Sequence, residues 1–295
     1  MSSINPTLKP KTSNARTLYM QKLMRHLLNP WHIVAYLILI VLTILYAGPL
    51  FMLAITAFKT SKEFNLNAIS LPSSINFDNF IEAWDKANFS QYFLNSIIYA
   101  VSATTIYVVT AVFLAFPIAR GYIKGANWIL TLFVIALFLP PALIPQFQLI
   151  LNLGLYNTRI GYILLLVTNP IGIIILVNYM KSLPKELDEA AAMDGCGYLR
   201  FMLTIVFPLS TPAISTVVVL HAIGIWNEIV LATIYLSNEH YYPVTRGLIN
   251  FQGIYGTKWP VMAAAVLIMT LPMVVSFLVL QRYIVSGLTA GSVKS

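Results

Sequence analysis

The sequence predicts an all-α integral membrane protein with six transmembrane helices, both termini cytoplasmic, and a short cytoplasmic helix between spans 4 and 5. Three observations carry this prediction. Of 295 residues, 58% are apolar or aromatic and only 9% are charged, against about 25% charged in soluble domains. Six charge-free runs each reach the roughly 20 residues that a membrane-crossing helix needs. Lysine and arginine are shared unequally between the alternate flanks of those runs.

The same composition excludes several classes. A soluble globule could not cover its surface with so few ionised groups. The net charge of +8 is thinly spread, whereas nucleic-acid binding clusters basic residues on a wettable face. The one cysteine, Cys196, allows neither an internal disulfide nor a thiolate zinc cluster. His26, His32, His221 and His240 show no metal-ligand spacing, so no metal is expected. No nucleophile–base pair stands out, which argues against a membrane enzyme. Outer-membrane strands would alternate over about 10 residues, which these long runs do not.

The runs are 33–58, 87–119, 125–158, 160–180, 201–227 and 259–281. The first is 26 residues without a charge, too long for the apolar region of a cleavable signal, about 7–15 residues. The second is expected to span about 94–118, because Asn88 to Tyr92 is polar enough for an interface. The third is expected over about 128–151, anchored at Trp128 and kinked or interrupted at Pro140, Pro141 and Pro145. The fifth is expected to start near Phe207.

Orientation follows from the flanks. The tail, residues 1–30, carries Lys9, Lys11, Arg16, Lys22 and Arg25. Arg120, Lys124, Lys181, Lys185, Arg200, Arg282 and Lys294 fall on the same side, twelve in all. The opposite loops carry six: Lys59, Lys62, Lys86, Arg159, Arg246 and Lys258. The richer side is read as cytoplasmic.

One cytoplasmic stretch, about 182–208, stands apart. Ser182 can cap a helix and Pro184 suits its first turn. Glu186, Asp188 and Glu189 favour its positive end. Gly195 is placed to stop it. The predicted helix, Pro184 to Asp194, puts Leu187, Ala190, Ala191 and Asp194 on one side. That shallow alanine face can seat in a partner's groove. The residues from Tyr198 to Met202 read as a second short helix leading into the membrane. An ordinary surface connector is the competing reading.

This stretch resembles the loop that marks the permease subunits of binding-protein-dependent ABC importers. The pattern is Glu-Ala-Ala, three residues, Gly, nine residues, Ile, one residue, Leu-Pro. Here it reads Glu189-Ala190-Ala191, Gly195, Ile205 and Phe207-Pro208, with phenylalanine in place of leucine. Trp226-Asn227-Glu228 resembles a pattern of carbohydrate permeases. Gln281-Arg282-Tyr283, the stretch Gly287 to Gly291, Asn79-Phe80 and the stretch Tyr92 to Ser96 resemble the maltose-type group. The likeness covers residues 31–295, the permease domain.

The resemblance implies a second permease completing the pore, two ATPase subunits beneath, and an extracytoplasmic sugar-binding protein, in the cytoplasmic membrane of a prokaryote. Glu189, Ala190, Ala191, Asp194, Gly195, Ile205, Phe207 and Pro208 would form the coupling loop to the ATPase, and the tail from Gly287 would reach towards the ATPase pair. The chain lacks a Gly-x-x-x-x-Gly-Lys-Ser/Thr loop. ATP and Mg are therefore expected to be used by the partner ATPase, with no cofactor on this chain.

Glu228 is the one acid between Phe201 and Leu236, and burying a carboxylate is costly. With Asn227 it could bind sugar hydroxyls, and Trp226 could stack on a sugar face. It also lies about 32 Å along a helix from Phe207, where an outer interface would simply hydrate it. An ion-coupled secondary transporter remains the alternative, resting on Glu228 and His221. A glycerol phosphate cargo would favour a basic pathway, and no Lys or Arg falls inside a span.

Overall fold

The structure, a computed structural model, describes residues 30–290 apart from 87, 254 and 255. The basic tail before Pro30 lies outside the described residues, as do the side chains from Gly287 to Ser295. Among the described residues, the fold is helical apart from a two-residue ladder pairing Gln252 with Thr257 and Gly253 with Gly256.

The chain forms two compact units, one ending at Ile55 and one starting at Thr56. The first consists, in its described part, of helix α1 (Pro30–Ala57) without its last two residues. Its Leu and Ile side chains are largely exposed, which costs nothing against lipid tails that are as apolar as they are.

The second unit begins with two short helices, α2 (Ser61–Leu66) and α3 (Asp78–Lys86). Thr60 and Glu63 cap α2 reciprocally. The fully buried Lys59 fastens the turn after it, donating to the carbonyls of Asn67 and Ala68 at 3.1 and 2.8 Å.

Helix α4 (Phe89–Arg120) is the centre of this unit. It starts earlier than the sequence predicts because Phe89 and Tyr92 are buried, Phe89 against Trp84 and Tyr92 against Tyr242. Small residues on one face, Ala103, Ala111 and Ala115, eight and four residues apart, let neighbouring helices approach its buried side.

The proline-rich third run divides into α5 (Ala126–Ala136) and α6 (Leu143–Asn152), with Pro140 and Pro141 in the gap. The run 160–180 is not one rod either. Helices α7 (Arg159–Leu166) and α8 (Pro170–Lys181) meet at 47°. Asn169 causes the break: its side chain accepts from the Ile171 and Gly172 N–H groups, restarting the helix at Pro170.

Then come α9 (Glu186–Met193), α10 (Tyr198–Leu209) and α11 (Thr211–Trp226). The fifth helix thus starts before Phe207, at Tyr198, and bends by 78° between Leu209 and Thr211. The bend has a cause in the backbone. Pro212 has no N–H for the carbonyl of Pro208, and the Thr211 hydroxyl donates to that carbonyl instead, at 2.7 Å. Short helices α12 (Val230–Tyr235) and α13 (Val244–Gly247) precede the long α14 (Trp259–Ala290).

Among the described residues, three helices are long and apolar enough to cross a membrane, and up to five if each bent pair is one span. The other expected span corresponds to α5 and α6, neither long enough alone.

Candidate functional site

Helix α9 is shorter than the sequence predicts and is capped differently. It runs from Glu186 to Met193 and no side chain caps its start. Ser182 instead closes the preceding helix, its hydroxyl donating to the Tyr179 carbonyl at 2.7 Å. Glu186, Asp188 and Glu189 do lie in the first turn, where the helix dipole favours them.

The stop is where glycine predicts it. Gly195 has φ +65°, its N–H bonds Ala192 O at 3.1 Å, and the Cys196 N–H bonds Ala191 O at 2.9 Å. These two bonds make a Schellman motif, which needs the left-handed residue. The motif fixes the direction in which the chain leaves for α10.

The expected common face of Leu187, Ala190, Ala191 and Asp194 is divided. Ala191 is 7% exposed and joins the core with Phe116, Met180 and Met202. Leu187 is half-buried, whereas Ala190 and Asp194 are exposed. The outward face is Glu186, Glu189, Ala190 and Met193, at three- and four-residue spacing. Met193, 84% exposed, is its apolar element and was not singled out from the sequence. Its spacing of four residues from Glu189 and three from Ala190 was the available clue. Further on, Ile205 packs against the core while Phe207 and Pro208 are exposed.

A second residue missed by sequence reasoning anchors this helix. Arg120, the last residue of α4, pairs with Asp188 (Nε to Oδ2, 2.9 Å). Its Nη1 and Nη2 donate to the carbonyls of Leu183 and Pro184 at 2.8 and 3.1 Å. The guanidinium also lies over the Phe116 ring. Both side chains are largely buried, 3% and 14% exposed. Nearby, burial first and the Asp188 charge second push the Tyr122 phenol above its usual pKa. One arginine therefore grips the loop and the first turn of α9 together, a fork geometry lysine lacks.

At the far end of α11 the residues Trp226, Asn227 and Glu228 separate. Trp226 is 7% exposed and its ring meets Phe93 edge-on. It lines an apolar crevice of about 560 Å³ between α4, α11 and α14. Asn227 ends the helix and donates to the Ile223 carbonyl. Glu228 faces the other way, into a cleft of about 770 Å³ lined also by Gln146, Leu149, Leu165, His221 and Leu231. Its carboxylate accepts from the Leu231 N–H at 2.9 Å. His221 is buried, stacked on Tyr107 at 4.2 Å with its Nδ1 3.2 Å from the Thr104 hydroxyl. Glu228 and His221 thus share a cleft that Trp226 does not enter. Among the described residues, no three His, Cys, Asp or Glu side chains gather where a metal ion could be held.

The opening of α4 is tied to the loop after α12. The fully buried Asn95 donates to the carbonyls of His240 and Tyr242 at 2.8 and 3.0 Å and accepts from Arg159 at 3.0 Å. Ser96 accepts from the Val244 N–H at 2.8 Å, and the Tyr99 hydroxyl donates to the Tyr241 carbonyl at 2.7 Å.

Residues 88–290 match the model of the binding-protein-dependent transport system inner membrane component family. The chain is 36% identical to the probable ABC transporter permease protein YurM of Bacillus subtilis, over 84% of each chain. It is 31% identical to the melibiose/raffinose/stachyose import permease protein MelC of the same organism, over 83% of this chain and 91% of that one. Its fold is similar to a chain of a bacterial ABC transporter involved in the import of the acidic polysaccharide alginate. That similarity has a TM-score of 0.79 at 20% identity and covers 95% of this chain and 99% of that one.

Proposed function

The chain belongs to the family of inner membrane components of binding-protein-dependent transport systems, and on that premise we propose that it is the permease half of an ATP-driven importer for a neutral sugar or oligosaccharide. Its place is the inner membrane, which it crosses several times. The observation that carries the reading is the Glu189–Gly195 segment: an exposed helix face, closed by a Schellman turn and rigidly joined to the bundle. A floppy connector could not pass on displacement, and this one is held.

The finer reading has six spans, with both termini and α9 in the cytoplasm, supported by the excess of lysine and arginine on that side. A second permease completes the pore, two ATPase subunits dock beneath α9, and an extracytoplasmic binding protein delivers the cargo. Names of relatives such as the melibiose/raffinose/stachyose permease support a sugar. The cleft supports a neutral one. It offers a carboxylate, an imidazole and the polar Gln146, Thr168 and Asn169 among apolar side chains, and among the described residues no Lys or Arg lines it, so a phosphorylated cargo finds no counter-charge there.

The test is reconstitution with its partner permease, ATPase and binding protein in proteoliposomes. Uptake of labelled oligosaccharide should require ATP and be indifferent to a proton gradient. Uptake without ATP that collapses with the gradient would instead establish the ion-coupled alternative built on Glu228 and His221.

A further inference from the structure

We infer that α4 is the strut that carries the motor's displacement from the coupling helix to the outer loop, with Arg120 and Asn95 as the positioning residues at its two ends. The inference rests on the importer reading above and adds to it the path inside this chain.

The geometry is specific. Asn95 and Arg120 stand 25 residues apart on one helix, about 37 Å at 1.5 Å per residue. At the cytoplasmic end, Arg120 holds Asp188 and the carbonyls of Leu183 and Pro184. A push on α9 must therefore move the end of α4 or break three bonds to a buried cation. At the outer end, Asn95, Ser96 and Tyr99 hold the backbone of residues 240–244. Movement of the strut must carry that loop or break four bonds.

The competing routes are interrupted. Helix α8 is directly continuous with the loop before α9, but at its other end it stops at the 47° break. Helix α11 starts only after the 78° bend. Helix α4 continues as one helix between the two fittings, with Pro117 removing a single backbone bond three residues before Arg120, and is buried along one side against both. Close packing of that kind moves as a body rather than bending.

The test uses the whole importer complex in nanodiscs, on a Cys196→Ser background with Glu239→Cys as a reporter in the exposed outer loop. The rate of maleimide labelling at position 239 is compared without nucleotide and after ATP–vanadate trapping. With Arg120 present the two rates should differ. With Arg120→Gln the difference should vanish, and uptake should fall at least about tenfold, because the largely buried Asp188 loses its counter-charge and α9 its anchor to α4. Asn95→Ala should also abolish the labelling difference, from the opposite end. Arg120→Lys keeps the ion pair and loses the fork, so it should recover part of both.

If Arg120→Gln fails to hold the ATPase on purification, Arg120→Lys decides. Should that variant fail to assemble as well, Arg120 is a folding residue and the inference is overturned. It is equally overturned if labelling in the parent is blind to nucleotide, or if Arg120→Gln preserves the parent's difference. A parent complex without ATP-dependent uptake would remove the importer reading itself, and the strut with it.

Discussion

Replacing Gly195 with valine is expected to abolish ATP-dependent uptake while leaving the chain inserted. The reason lies in the backbone. Gly195 has φ +65°, and a Cβ placed there meets nothing within 4 Å. Space is therefore not the obstacle. A residue with a Cβ pays about 1–2 kcal/mol in the left-handed region, and a β-branched one pays more. The chain would leave that region, the bonds from Cys196 to Ala191 and from Gly195 to Ala192 would be lost, and α10 would no longer follow α9 at a fixed angle. Uptake should drop about tenfold or more, the factor corresponding to about 1.4 kcal/mol. Asparagine tolerates the left-handed conformation, so Gly195→Asn should retain most activity. The check is proteoliposome uptake alongside protease mapping of insertion. Equal loss in both variants would mean that Gly195 is needed for close approach of the partner rather than for its conformation.

The second large effect is expected in the bundle rather than in the coupling segment. Helices α4 and α8 share the most extensive interface among the described elements. Gly172 lies in it. A Cβ there would collide with the Tyr107 hydroxyl and come within 2.8 Å of Val217 Cγ1. Tyr107 cannot simply retreat, because it is stacked on His221 and its hydroxyl donates to the Asn169 carbonyl. Overpacking of this kind costs about 1–3 kcal/mol. Gly172→Ala should lower the unfolding temperature measured in detergent, and Gly172→Leu should prevent recovery of folded protein. Gly224→Ala is the control. It also lies in a helix, has open space for a Cβ, and should gain up to about 1 kcal/mol from helix propensity. If the two alanine variants behave alike, the close approach at Gly172 does not hold.

The sequence was informative where one local property decides the outcome. Charge-free length located α1, α4 and α14, because nothing but a helix satisfies the backbone in lipid. Gly195 could be read as a stop because few residues adopt its conformation. The Asn169-Pro170 break was hidden because a count of charges is blind to backbone punctuation, although Asn followed by Pro carries an N-cap pattern. Arg120 could be read only as a topological charge, since its partners Leu183, Pro184 and Asp188 lie more than 60 residues away. Ala191 looked equivalent to Ala190, and only packing against Phe116 and Met202 turns it inward. Trp226 and Glu228 are two residues apart in one motif, yet the helix ends at Asn227 between them and they line different cavities.

The most direct measurement is a crosslinking map of α9 in the assembled complex. The chain has a single cysteine, so a Cys196→Ser background leaves introduced cysteines alone. Met193→Cys on the exposed face, labelled with a maleimide–benzophenone reagent, should photocrosslink to the ATPase subunit without needing a cysteine there, and Ala191→Cys on the buried face should not. If Met193→Cys yields no ATPase adduct, or reacts with an impermeant reagent added only from the outside of intact cells, then α9 is not the element on which the motor acts.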